Sequence, residues 1–323
     1  MPTDQPRHRP AIDRFSLRTM ACAVAVAGAV ATIAAQPSPE HLSPLVAKLA
    51  AGNRAFGVST YDLSLENARS LARSNLDYVY VDMEHGPMDF VALHRFLLGL
   101  TDRAAVARNG DVAQQMTPLV RLAPYGRESP QWAVKQALDI GVMGVIFPAI
   151  ETPDQALRAV QSMRYPQRRD APYPEPRGLR GSGPTTAAWF WGLSTRDYVR
   201  RADTWPLNPT ADLMALMMIE TTDAVRNVEA IAAVPGVAGL YLGPSDLSNS
   251  LGLPRDDPRV EAAIQTVVDA CLRHGVACGI TASAADMSGR IEQGFTILGG
   301  GRAGGGLPAA VDAAVEAGRA VPD

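Results

Sequence analysis

The chain has 323 residues, of which 47% are hydrophobic and 20% charged, and its net charge is −3. That length holds one α/β barrel of about 250 residues plus an extension. The near-neutral balance offers no basic stripe for nucleic acid, and no GxSxG elbow, P-loop, dinucleotide fingerprint or zinc-spaced Cys/His cluster occurs.

In chain order, Arg7, Arg9, Arg14 and Arg18 come first and Met20–Ala35, an uncharged run of small residues, comes next. A basic start, a short apolar core and a small residue at its end predict a secretory signal over residues 1–36, cut after Ala35. Export to the periplasm or beyond would follow; without a functional signal the protein stays in the cytoplasm. The run is short of the roughly 20 apolar residues a membrane span requires. Cys22 falls inside this segment, while Cys271 and Cys278 fit buried thiols as readily as a disulfide.

A short helix over Leu45–Ala51 opens the folded part. Eight apolar runs of strand character follow: Phe56–Ser59, Tyr78–Asp82, Pro118–Arg121, Gly144–Phe147, Leu216–Ile219, Gly239–Leu242, Val276–Ile280 and Phe295–Leu298. Helical spacing fills most of the intervals, at Ser64–Ser74, Phe90–Leu100, Gln131–Ile140, Pro153–Met163, Ala224–Ala233, Pro258–His274 and Ala282–Gln293. A last helix spans Leu307–Arg319. Strands and helices alternating in one domain predict a (β/α)8 TIM barrel. An open doubly wound sheet would announce itself with a Gly-rich turn after its first strand, and none is there. Two connections, Thr101–Thr117 and Tyr165–Asp212, exceed what a barrel needs, and on the strand C-terminal side such loops serve as lids or subunit contacts. GGGRAGGG at Gly299–Gly306 reads as a flexible segment after the eighth strand.

Residues just beyond barrel strand ends converge on one mouth. The second strand ends in Asp82, Glu84 and His85, the third in Arg121, the fifth in Glu220, and the sixth in Gly243–Asp246. Glu220 and Asp246 either cap the helices that follow or act as two oxygen ligands for a hard dication such as Mg²⁺, Mn²⁺ or Co²⁺. His85, with Asp82 to orient it, suits proton transfer, and Arg121 suits an oxyanion. Because the GPSD turn opens a helix, the backbone of Gly243, Pro244 and Ser245 is a place for a substrate carboxylate. The only lysines, Lys48 and Lys135, stand away from any strand end, which removes Schiff-base chemistry.

These segments resemble the HpcH/HpaI aldolases over about Leu45 to Arg319. The resemblance rests on VDMEHGPMD (Val81–Asp89), PLVRL (Pro118–Leu122), VKQALDIGVMGVIFPAIETPDQA (Val134–Ala156), RGLRG (Arg177–Gly181), MIETTDAVRNVEAIAAVPGV and GLYLGPSDLSNSLG. It implies a metal-dependent class II aldolase that splits a 4-hydroxy-2-oxo acid into pyruvate and an aldehyde through a metal-stabilised enolate. Glu220 and Asp246 would be the metal ligands, His85 with Asp82 the catalytic pair, Arg121 the enolate's partner and Gly243–Ser245 the carboxylate cradle. It also implies a homohexamer, a trimer of dimers, whose last helix packs on a neighbouring barrel. The chain departs from the family at Met218, where a polar residue is common, and at GGGRAGGG, which replaces a segment commonly carrying an aspartate. A CoA-ester lyase or decarboxylase of the same barrel type, and an exported 2-oxo-acid-binding protein without turnover, are the alternatives.

Overall fold

The computed structural model describes residues 40–124 and 131–322; the expected signal over 1–36 and Cys22 lie outside the described residues. Eight parallel strands close a barrel: β1 Ala55–Thr60, β2 Tyr78–Asp82, β3 Thr117–Arg121, β4 Gly144–Phe147, β5 Leu213–Ile219, β6 Gly239–Leu242, β7 Ala277–Thr281 and β8 Ile297–Ala303. Each pairs with its sequence neighbour, β8 pairs with β1, and β4 pairs with β5, so the eight leave no free edge between them. Helices cover the outside, as the alternation predicts.

Strand alternation sorts the apolar residues into two layers. Tyr78 and Tyr80 of β2, Leu119 of β3, Ile146 of β4, Met214, Leu216 and Met218 of β5 and Tyr241 of β6 fill the barrel interior. Their neighbours Val79, Val81, Val120, Val145, Ala215, Met217, Ile219 and Leu242 face the helices. Glycines make room for the interior rings: a Cβ on Gly57 would meet the Tyr78 ring at 2.5 Å, and one on Gly279 would meet the Tyr241 ring at 2.4 Å. The opening helix, Pro44–Ala50, plugs the strand N-terminal end with Leu45 and Val46. Thr117 fixes it there, accepting from the Leu45 N–H at 2.9 Å.

Several sequence expectations change. Both long connections run from a helix end to a strand start, so they lie on the strand N-terminal face, away from the mouth. The first contains a helix, Arg103–Asn109, and the second contains Thr185–Phe190 and Thr195–Arg201. The two meet where Val112 fills the space beside Gly192. They are built structure, since Arg164, Trp191 and Tyr198 are fully buried there.

The glycine run is not a loop after β8, because its first five residues are part of that strand. Gly299 and Gly300 permit close approach: Cβ atoms there would press on Thr281 and on the Val311 carbonyl, both at 2.9 Å. The last helix, Ala309–Arg319, turns Val311, Ala314 and Val315 onto its own barrel. The expected helix Ala224–Ala233 is two short helices meeting at Asn227, whose side-chain amide donates to the Glu151 carbonyl at 2.7 Å. Cys271 and Cys278 are free, buried thiols. Among the described residues no helix is long and apolar enough to cross a membrane.

Candidate active site

The parity that fills the barrel also builds its mouth. Two residues beyond Tyr80 stands Asp82, two beyond Leu119 stands Arg121, and two beyond Met218 stands Glu220. Each is the next inward position of its strand, and all three are buried. The interior layering therefore ends at the C-terminal rim in charge.

Arg121 joins the first group. Its Nε donates to Asp82 Oδ1 at 2.9 Å and its Nη2 to Asp82 Oδ2 at 2.5 Å. The same Nη2 lies 2.8 Å from His85 Nδ1, and Nη1 stands 3.2 Å from Glu84 Oε2. Burial alone would raise the Asp82 carboxyl, but the guanidinium outweighs it and holds Asp82 below the usual carboxylate range. Burial likewise opposes the Arg121 charge, and the Asp82 carboxylate overrides it and raises Arg121. Asp82 also accepts from the Glu84 and His85 N–H groups, at 3.2 and 3.3 Å, which fixes the turn after β2. His85 Nδ1 also stands 3.4 Å from Asp82 Oδ2, so the ring is held by its inner nitrogen.

The second group is acidic. Glu220 Oε1 accepts from the Ala149 N–H at 2.8 Å, and Ala149 adopts a left-handed φ of +54° to present it. Burial, then the Asp246 charge, raise the Glu220 carboxyl. Burial pushes Glu84 up to about 7, with Glu220, Asp82 and Asp246 adding to it against the pull of Arg121. Both glutamates therefore feel the Asp246 charge, and Glu84 Oε2 is buried without a hydrogen bond. Acids forced together this way suit a hard dication. The ligating atoms of Asp82, Glu84 and His85 also lie within 4.8 Å of one another. Arg121 already supplies the cation there, which leaves the Glu220–Asp246 side, with Glu84 beside it, as the better fit.

Gly243 follows β6 at the same parity as Tyr241. A Cβ there would come 2.7 Å from Glu220 Oε2 and 3.1 Å from Met218 Cε, so only glycine lets β6 pass the carboxylate. The helix Pro244–Leu251 starts here with no side-chain cap. Of the expected Gly243–Ser245 cradle, the Gly243 N–H is committed to the Ile219 carbonyl at 3.2 Å and Pro244 has none. Ser245 and Asp246 are the first-turn N–H groups that remain. Met218 makes the floor, with its sulfur 3.7 Å from Arg121 Nη1.

The structure brings Asp82, His85 and Arg121 into direct contact and sets Glu220 and Asp246 within electrostatic reach of each other and of Glu84. Sequence reasoning placed Glu84 at the strand end without giving it a role, and it missed Ala149 altogether. Glu84 was visible as a third acid in VDMEHGP, whereas nothing in FPAIE signals that Ala149 holds Glu220.

A parallel (β/α)8 barrel with acids, an imidazole and a guanidinium at its C-terminal mouth has the layout of a barrel enzyme. The chain belongs to the HpcH/HpaI aldolase/citrate lyase family, whose sequence profile matches residues 64–307. The hydroxypyruvate/pyruvate aldolase of Paraburkholderia phytofirmans is 32% identical over 252 residues, which cover 74% of this chain and 83% of the relative. The 2-dehydro-3,6-dideoxy-6-sulfogluconate aldolase of Pseudomonas putida is 31% identical, with the same coverage of 74% and 83%. A solved HpcH/HpaI aldolase/citrate lyase family protein from Burkholderia cenocepacia superposes with a TM-score of 0.67 at 32% identity, over 80% of this chain and 93% of that one.

Proposed function

We propose that this protein is a divalent-metal-dependent aldolase that cleaves a 4-hydroxy-2-oxo acid to pyruvate and an aldehyde. The observation that carries the reading is the mouth itself, where an Asp82–Arg121–His85 cluster faces the Glu220–Asp246–Glu84 acids. Glu220 and Asp246 would hold Mg²⁺, Mn²⁺ or Co²⁺. When bound, such an ion supplies Lewis-acid polarisation of the 2-oxo carbonyl and neutralises charge developing on its oxygen.

The chain's own residues do the rest. The Ser245 and Asp246 N–H groups, at a helix start, receive the substrate carboxylate. Arg121, locked by Asp82, presents a fixed positive charge to the developing oxyanion and costs little reorganisation. In cleavage His85 takes the proton of the C4 hydroxyl as the C3–C4 bond breaks, and the bonding electrons pass to the pyruvate enolate. Protonation of that enolate at C3 completes pyruvate. In the condensation direction the imidazolium form of His85 returns that proton to the aldehyde oxygen and is left neutral. Met218 keeps the floor apolar, which strengthens the Arg121–oxyanion attraction.

The test is a pyruvate-release screen across 4-hydroxy-2-oxo acids of different chain length, run with each of the three metals in turn. Release from at least one acid, dependent on added metal, is the expected result; no release from any acid with any metal sinks the reading. The same reading includes a homohexamer, for which light scattering should give six times the protomer mass. It also includes export, for which N-terminal sequencing of protein recovered outside the cytoplasm should begin at Gln36.

A further inference from the structure

Away from the mouth, two outer helices gather charge that the scheme above does not use. The helices Leu65–Ala72 and Phe90–Leu100 follow β1 and β2, so both run back from the mouth towards the opposite face. Gly99 lets them touch, since a Cβ there would stand 2.7 Å from the Ala68 Cβ and 2.8 Å from Leu65 Cδ1. Where they end, they enclose a cavity of 440 Å³ together with the long connection that begins at Thr101. Leu65, Ala72 and Leu98 supply its apolar lining, and Arg69, Arg73 and Arg103 its charge. Leu65 and Leu98 remain 50% and 41% exposed, so that lining is uncovered.

The three guanidinium groups are unmatched. Among the described residues no carboxylate pairs with Arg69, Arg73 or Arg103. Arg168, Arg226 and Arg259, also exposed, each pair with an acid two or three residues away, Asp170, Asp223 and Asp257. Here the nearby acids are not used that way. Asp102, in the cavity wall, caps the helix Arg103–Asn109 and accepts from the Ala104 N–H at 2.9 Å. Glu66 stands three residues before Arg69 and does not pair with it. Local stability does not explain the arrangement either. Arg103 is the first residue of its helix, where a cation works against the helix dipole. Arg69 and Arg73 are like charges one turn apart, a spacing that costs a helix stability.

We propose that this cavity binds an organic phosphate, whose oxygens meet Arg69, Arg73 and Arg103 and whose carbon body lies over Leu65 and Leu98. A planar guanidinium fork takes phosphate oxygens two at a time, and three unmatched forks suit a dianion better than a single carboxylate. The volume lies within the range of small-molecule sites. The apolar lining adds attraction that inorganic phosphate cannot use. A ligand here bridges the two helices that flank β2 on the outside of the barrel, so it is a second site and not part of the mouth.

The test is isothermal titration of the full chain with phenyl phosphate and with inorganic phosphate, beside co-sedimentation with phosphatidylglycerol vesicles. Wild type should bind phenyl phosphate more tightly than inorganic phosphate, with affinity that falls as salt rises. The double variant Arg69→Gln/Arg73→Gln, and Arg103→Gln alone, should each weaken phenyl phosphate about tenfold or more, as loss of charge-assisted hydrogen bonds does. Both variants should keep the thermal midpoint of wild type, because the side chains removed are exposed and unpaired. Phenyl phosphate bound no better than inorganic phosphate, or bound equally by wild type and both variants, would overturn the proposal. So would vesicle binding without phenyl phosphate binding, which would make the patch a lipid-facing surface. Binding is read without turnover, so these outcomes are independent of the aldolase reading.

Discussion

At the scale of single residues the mouth depends on close, specific contacts, and these set the predictions. Glu220 has two duties, since one oxygen accepts from Ala149 while the carboxylate serves the acidic group. Glu220→Ala would strand the Ala149 N–H as well as remove the charge. Glu220→Gln keeps an acceptor for that N–H, so we expect it to abolish metal-dependent turnover with little change in the thermal midpoint. Gly243→Ala puts a carbon 2.7 Å from Glu220 Oε2, closer than side chains approach. Steady-state kinetics should show kcat down by about tenfold or more, because sub-ångström displacement of a site group is costly. Glu84 gives a pH signature in the metal-free protein. Its carboxyl is raised from 4.5 to about 7 in the fold, chiefly by burial, so the folded state holds a proton that the unfolded chain has lost. The sign follows: stability from this group falls as pH rises from about 4.5 to about 7, and is lowest above that. Thermal unfolding of chelator-treated protein should show that fall, and Glu84→Gln should flatten it. Asp82, Arg121 and Glu220 were legible because strand parity carries the interior pattern to the rim. Glu84 was legible as an acid at the rim but not in its role beside Glu220 and Asp246, and Ala149 was not legible at all, since both depend on how the chain turns after the strand.

Elements were legible where periodicity was strong. The helices Phe90–Leu100, Pro153–Met163 and Pro258–His274 lie as read, as do the strands Tyr78–Asp82, Gly144–Phe147 and Gly239–Leu242. The β8 glycines misled because glycine reads as flexibility in a sequence and here serves close packing under the last helix. The long connections misled for another reason: length says nothing about which face a loop covers, and their position after helices decides it. The Tyr165–Asp212 connection is pinned by Arg164, whose Nε and Nη2 donate to Asp203 at 2.5 and 3.0 Å. Arg164 also donates to the Pro176 and Tyr173 carbonyls at 2.6 and 2.8 Å. Asp203→Ala leaves that guanidinium buried without its carboxylate, a loss of roughly 3–5 kcal/mol. Urea denaturation should show it, while the KM for substrate should stay within about twofold, since this anchor is on the face opposite the mouth. A large KM change with intact stability would mean the two faces are coupled.

At the scale of the whole molecule, the eight-fold alternation made the barrel readable and the barrel made the site readable. Closing the sheet brings β2, β3, β5 and β6 around one axis, so residues from 82 to 246 meet at one rim. What alternation could not reveal is the electrostatic division of that rim. One part is already neutralised by Arg121. The other gathers Glu84, Glu220 and Asp246, where the Asp246 charge adds to burial in raising both glutamates, and it is there that a dication gains most. The most direct measurement is metal stoichiometry and pyruvate release on the same chelator-stripped sample, for wild type and Glu220→Gln. The account predicts about one Mn²⁺ bound per wild-type chain with release restored in proportion to it, and neither in the variant. Full pyruvate release from stripped wild type, or wild-type binding and release in Glu220→Gln, would contradict it.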